Sequence, residues 1–315
     1  MKKKIIEGSF FFAITAIALA GIFIFLPGTR RRAVGWYKEP KRIEYMLESL
    51  DSVEVKSTSQ NIKIKVSDSA TEVTVRYYTN WDGHVSDNRS SSLKIEEHWE
   101  QNWFYVFLPK MDHILNRNDY ITLEITVPKD TDLTKLKVTT KSGKIEIAGI
   151  TANAANLNAT NQNILITDCD FDDTNIFNAS GSTTIKDSSL GDKGGTFHSS
   201  GRINLANCTI DDDFKIEGSC TLTNCTLGDN IKIVNTNGNI KIDETVFNGI
   251  TITSTSGNIS VSNIHDIELC SFNLKATAGT IKVSGTNQGT IYNITPNGSQ
   301  SKLKINATSG SIAIN

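Results

Sequence analysis

The residues best suited to chemistry are four aspartates: Asp173, Asp192, Asp212 and Asp229 recur 19, 20 and 17 residues apart, and Asn248 continues the series. If each falls on one coil of a stacked β structure, the carboxylates line up at an inter-strand spacing of about 4.8 Å. Like charges that close repel unless turn amides or a cation offset them. The series reads first as Asx turns at successive corners. The sharper alternative is a weak calcium ladder along one edge, although the Gly-Gly-x-Gly-x-Asp nonapeptides of calcium-binding β-rolls are missing. A second group is aromatic: Trp81, Trp99, Trp103 and Tyr105 stand in a crowded stretch with Tyr77, Tyr78, Phe104 and Phe107. Such side chains either cover the open end of an apolar core or offer a surface to a glycan or peptide. His84, His98 and His113 accompany them without metal-ligand spacing.

The five cysteines include Cys169, Cys208 and Cys225, which with Ser188 and Glu244 form another series 17 to 20 residues apart. No Cys-x-x-Cys pair exists, so a ladder of small buried thiols is expected rather than a zinc site. Cys208 and Cys225 fall on adjacent coils, and whether they pair as a disulfide is left open. No Gly-x-Ser-x-Gly, Walker loop, dinucleotide fingerprint or His-Glu-x-x-His occurs. Glycan lyases built on β-helices need long loops carrying several acids and a base. The one interval with room for an insertion, around Asn287 to Ser301, holds no histidine, arginine or carboxylate. A catalytic role and a cofactor are therefore not expected.

The elements that would position these residues follow from a repeated phrase. It reads Lys-Ser-Gly-Lys-Ile-Glu-Ile at 141–147, Thr-Asn-Gly-Asn-Ile-Lys-Ile at 236–242 and Thr-Ser-Gly-Asn-Ile-Ser-Val at 255–261. It returns at 277–283 and 308–314, with degenerate copies near Gln162, Gly181, Gly201 and Gly218. Key positions fall 17 to 22 residues apart, the signature of a solenoid whose units bury their apolar faces only against neighbours. Alternation puts Ile145 and Ile147, or Ile240 and Ile242, on one face, with Glu146 and Lys241 facing water. The expected fold is all-β: a single-stranded parallel β-helix of about nine such coils, preceded by one transmembrane helix. A β-rich, aromatic N-terminal cap region spans 51–131 and the solenoid repeat domain 132–315. Strands are expected at 71–78, 93–97, 102–108 and 120–127.

Ahead of these lie a basic tail at 1–7 and an apolar run of 19 residues, 8–26, bounded by Gly8 and Leu26. At about 1.5 Å per residue the run just spans a bilayer core, so membrane lipid is an expected partner. Ala18-Leu19-Ala20 resembles a signal-peptide cleavage site, but apolar sequence continues from Ile22 through Leu26, which favours an uncleaved anchor. Residues 27–50 read as a basic juxtamembrane stalk in which Ile43, Met46, Leu47 and Leu50 share a helical face. Arg30, Arg31 and Arg32 after the span argue for a cytoplasmic domain. The Asn-, Thr-, Ser- and Gly-rich repeats and the short basic start argue for an extracytoplasmic one, which is the reading adopted. With a formal net charge of −2 over 315 residues, nothing points to nucleic acid.

The strand Ile121-Thr-Leu-Glu-Ile-Thr-Val-Pro128, followed by Leu136-Lys-Val-Thr-Thr-Lys-Ser-Gly-Lys-Ile-Glu-Ile147 and repeated Thr-x-Ser-Gly-x-Ile-x-Val phrases, resembles the bacterial "putative adhesin" family of β-strand-repeat proteins. Membrane-anchored LiaG-like proteins of Gram-positive envelope-stress systems belong to that group. The resemblance implies an envelope location and a binding or scaffolding role, with a cell-wall polymer, peptide or envelope protein as partner and no catalytic residue. The expected function is thus adhesin-like binding or an envelope-stress-associated role at the cell membrane. Two alternatives stand beside it. One is a self-assembling scaffold on the cytoplasmic face, joined through a C-terminal strand with no evident cap; the other is a β-helix glycan lyase.

Overall fold

The computed structural model describes residues 42–58, 60–78, 85–97, 122–264 and 267–315. The span 8–26, the strand expected at 102–108, Trp81, Trp99, Trp103, Tyr105 and the three N-terminal histidines lie outside the described residues. Among the described residues no helix is long and apolar enough to cross a membrane.

Thirty strands among the described residues hydrogen-bond into one continuous open sheet that winds through stacked coils. Adjacent coils pair in parallel and in step. Ile145 stands beside Ile164, which stands beside Thr183, and that beside Ile203. The longest inward column runs Ile95, Val55, Val138, Leu157, Ile176, Phe197, Ile216, Ile233, Ile252, Ile305, Leu274. Every member is buried. At roughly 1.5–3 kcal/mol for each large apolar side chain buried, this continuous column is what holds each coil to the next.

Tight corners interrupt the alternation. At Gly257 φ is 115°, and a β-carbon there would lie 1.8 Å from the Gly238 carbonyl oxygen, which is why the phrase requires glycine. A second corner is left-handed: Asp168, Asp187, Asn207, Asn224, Glu244 and Asn263 all have φ between 50° and 55°. Short polar side chains tolerate that region. Since Glu244 occupies this column, the cysteine series is corrected at its end. Thr245 takes the fifth place, its Oγ1 accepting from the Cys225 N–H at 3.4 Å, as Ser188 Oγ accepts from the Cys169 N–H at 3.1 Å.

The coils do not stack in chain order at either end. Ser301–Ser309 lies between Gly249–Ser256 and Cys270–Ala278, parallel to both. Ile312–Ile314 likewise lies between Ile259–Ser262 and Ile281–Val283. The C-terminal strand is therefore internal, which corrects the expectation of an uncapped C-terminal edge. The outermost coil at that end carries antiparallel strands Thr286–Gly289 and Ile291–Ile294 instead. The other end mirrors it: Ser52–Ser57 is flanked by Ser92–Glu97 and Lys135–Thr140, both parallel to it. Antiparallel strands Val73–Tyr78 and Val85–Asn88 close the first coil. Antiparallel strands at both ends terminate the parallel ladder that another copy would otherwise extend.

The helical face expected from Ile43 to Leu50 is also corrected. Arg42–Leu47 is a strand, antiparallel to Val73–Tyr78. Ile43, Tyr45 and Leu47 also alternate along one strand face that packs on the core, and an available sheet edge decides for the strand.

Candidate functional site

Outward columns cross the sheet face formed by Lys135–Thr140, Thr151–Ala159, Asp170–Asn178, Gly195–Ala206 and Phe214–Thr223. In one, Lys137, Asn156, Asn175, Thr196 and Lys215 follow one another; in the next, Thr139, Asn158, Phe177, His198 and Glu217, then Val234. Burial of Ile176, Phe197 and Ile216 forces their neighbours outward by strand alternation. Phe177 is consequently 46% exposed, an unusual state for a phenylalanine amid polar side chains.

Phe177 stacks on His198 with ring centroids 4.9 Å apart and planes 6° from parallel. His198 Nδ1 lies 3.1 Å from Glu217 Oε2, and Lys215 pairs with the same carboxylate. The Lys215 hydrogen bond, seconded by His198, holds the Glu217 carboxyl below its usual range. Phe177, His198 and Glu217 line an open groove of about 610 Å³ with Asn156, Asn158 and Asn175 along its side.

The groove continues through His198 and Glu217 into a second hollow of about 360 Å³ lined by Gly218, Ser219, Val234 and Asn235. Gly218 has φ 136°, and a β-carbon there would meet the Ser199 carbonyl oxygen at 2.4 Å. The internal polar corner carries Asn178, Ser199 and Asn235, and at Gly218 the Ser199 carbonyl oxygen takes the place a side chain would need. Asn235 is buried, and its Nδ2 faces the Gly238 and Ser256 carbonyls and Ser254 Oγ at 2.7, 3.2 and 3.2 Å. Its Oδ1 has no partner.

The family model described as Toastrack DUF4097 matches residues 50–315. The chain belongs to this family. A search of curated proteins finds no match. Two solved structures are similar to the Toastrack chain. A "putative cell adhesion protein" from Clostridium sporogenes is 8% identical, with 88% of this chain and 99% of that one covered and a TM-score of 0.25. A "putative lipid binding protein" from Parabacteroides distasonis is 13% identical, with 88% and 97% covered and a TM-score of 0.31. Scores this low give neither neighbour's name any weight.

The Toastrack coils distribute the aspartate series over unlike settings. Asp173 sits within Asp170–Asn178 and accepts from Asn175 Nδ2 at 2.9 Å. Asp192 and Asp229 are exposed at turns, and Asp212 Oδ1 accepts from the Asp229 N–H at 2.5 Å, a corner cap joining two coils. The strongest carboxylate coupling involves a residue outside the series. Burial and a hydrogen bond with Asp192 push Asp211 up to about 6. Among the described residues no group of three or more His, Cys, Asp or Glu is arranged to hold a metal ion.

All five thiols are free and buried. Burial pushes Cys169 up to about 11 and Cys220 up to about 12, which suppresses the thiolate needed for reactivity, whereas a hydrogen bond with Cys208 pulls Cys225 down to about 7 and leaves its burial as the barrier to reagents. Sequence reasoning had not singled out Phe177 or His198. The signal lies in Ile176-Phe177, adjacent apolar residues on a strand, of which only one can face inward.

Proposed function

We propose that this Toastrack chain is a single-pass membrane protein of the cell envelope whose solenoid projects out of the cytoplasm and works without catalysis, by adhesin-like binding. Its partner is a cell-wall polymer, peptide or envelope protein, and the binding serves an adhesin-like or envelope-stress-associated role. The anchor is the apolar run 8–26. The binding face is the groove at Phe177 and His198. One observation carries this: a flat, exposed aromatic stack, set among neutral amides, on the rigid face of a solenoid. Exposed apolar surface framed by polar side chains is the mark of an interaction site, and a rigid sheet holds it ready without ordering cost on binding.

The test uses the full-length chain in mild detergent and isolated cell-envelope material. Wild-type chain is expected to sediment with the envelope, and the Phe177→Ala, His198→Ala double variant is expected to stay in the supernatant. Equal sedimentation of the two would remove the face from the binding role. The orientation is checked separately with a protease applied to intact cells against a tag after Asn315. Cleavage without permeabilisation is expected, and protection until lysis would overturn the extracytoplasmic placement.

A further inference from the structure

Given the binding role proposed above, we infer that the groove takes an extended, uncharged glycan laid along the solenoid axis. One sugar face covers the Phe177–His198 stack, and its hydroxyls meet the amides of Asn156, Asn158 and Asn175 along the side of the groove.

The first reason is charge. The ionic groups of the groove are already matched within the protein. Lys137 Nζ lies 3.1 Å from Glu54 Oε1, and Glu217 is held by both Lys215 and His198. An ionic ligand would have to displace these partners, so a neutral one fits better. The second reason is the rim. Asn156, Asn158 and Asn175 each carry an acceptor and two donors, the combination that matches sugar hydroxyls, which are donors and acceptors at once. The third is the platform. A π face carries partial negative charge and attracts the positively polarised C–H bonds of a pyranose face.

The fourth reason is periodicity. Side chains of one column recur with each coil, about 4.8 Å apart, a step similar to the advance per sugar of an extended glycan. Successive sugars therefore meet successive coils.

Other polymers suit the face less well. An extended peptide gains its affinity by adding to a sheet edge, and the strands under the groove are paired on both sides. Nucleic acid needs an unmatched basic track, which the paired Lys137 and Lys215 do not supply.

The experiment titrates full-length chain with soluble β-1,4-linked tetra- to hexasaccharides, with and without N-acetyl groups, by calorimetry. Saturable binding that strengthens with chain length is expected. Phe177→Ala should weaken it roughly tenfold, the worth of one aromatic contact, and Phe177→Trp should restore it. Asn158→Ala, also outward-facing, should weaken it without unfolding the chain. Glycan binding unaffected by Phe177→Ala would overturn the location. If no oligosaccharide binds while envelope sedimentation still depends on Phe177, the glycan assignment falls and the binding face stands. Loss of both would overturn the face as well.

Discussion

Phe177 and Phe197 sit in adjacent coils, one residue out of phase, and the structure assigns them opposite work. Phe197 lies in the inward column with no exposure, its ring 4.4 Å from that of Phe214 at 59°. Truncation to alanine removes a buried ring and leaves a cavity that flanking coils cannot fill, because their registers are locked by parallel pairing. Phe197→Ala should cost about 3–5 kcal/mol. Phe177→Ala removes a ring that is already half in water and should stay within about 0.5–1 kcal/mol of wild type. Urea unfolding followed by circular dichroism compares the two through the transition midpoint. That choice matters because stacked repeats need not unfold in one step. A large midpoint shift for Phe197→Ala with almost none for Phe177→Ala is expected. Equal shifts, or the reverse order, would refute the assignment of inward and outward faces on which the functional face depends.

Further outcomes follow from the same geometry. Gly257→Ala forces a β-carbon against the Gly238 carbonyl at a positive φ and should destabilise by about 1–3 kcal/mol, seen as a lower thermal midpoint. Asp211 binds its proton more tightly folded than unfolded, since its carboxyl is raised to about 6 by burial and Asp192. Its contribution to stability is full below the unfolded pKa of about 3.9 and falls as pH rises toward 6. Asp211→Asn should flatten that stretch of the stability–pH curve, and an unchanged slope would contradict it. The five thiols should resist a bulky thiol reagent in the native chain and react together on unfolding, as counted by absorbance.

Much of this architecture was legible because the turns and strands are dictated locally. A glycine pressed on its neighbour's carbonyl, followed by Ile-x-Ile, can be little other than a coil corner opening a half-buried strand. Stacking order is a different matter. The phrase at 308–314 announces a coil but not its neighbours, and its insertion between 249–262 and 270–283 is decided by which edges remain unpaired. The strand at Arg42–Leu47 was hidden because Ile43, Met46, Leu47 and Leu50 also fit a helical stripe. Asp173, Asp192, Asp212 and Asp229 recur by coil, yet Asp173 lies within a strand while the other three lie at turns, a difference that sequence spacing alone does not reveal. The functional face was half visible: Ile176-Phe177 betrays one exposed ring, but the His198 beneath it becomes its partner only through the coil-to-coil register.

The most direct measurement is hydroxyl-radical footprinting of the full-length chain with and without isolated envelope material. Binding through the groove predicts protection of Phe177 and His198, with Val234 following, and unchanged labelling of exposed Ile291 and Met46 at the two ends of the solenoid. Protection confined to the ends, or none on Phe177 while the chain is bound, would contradict it.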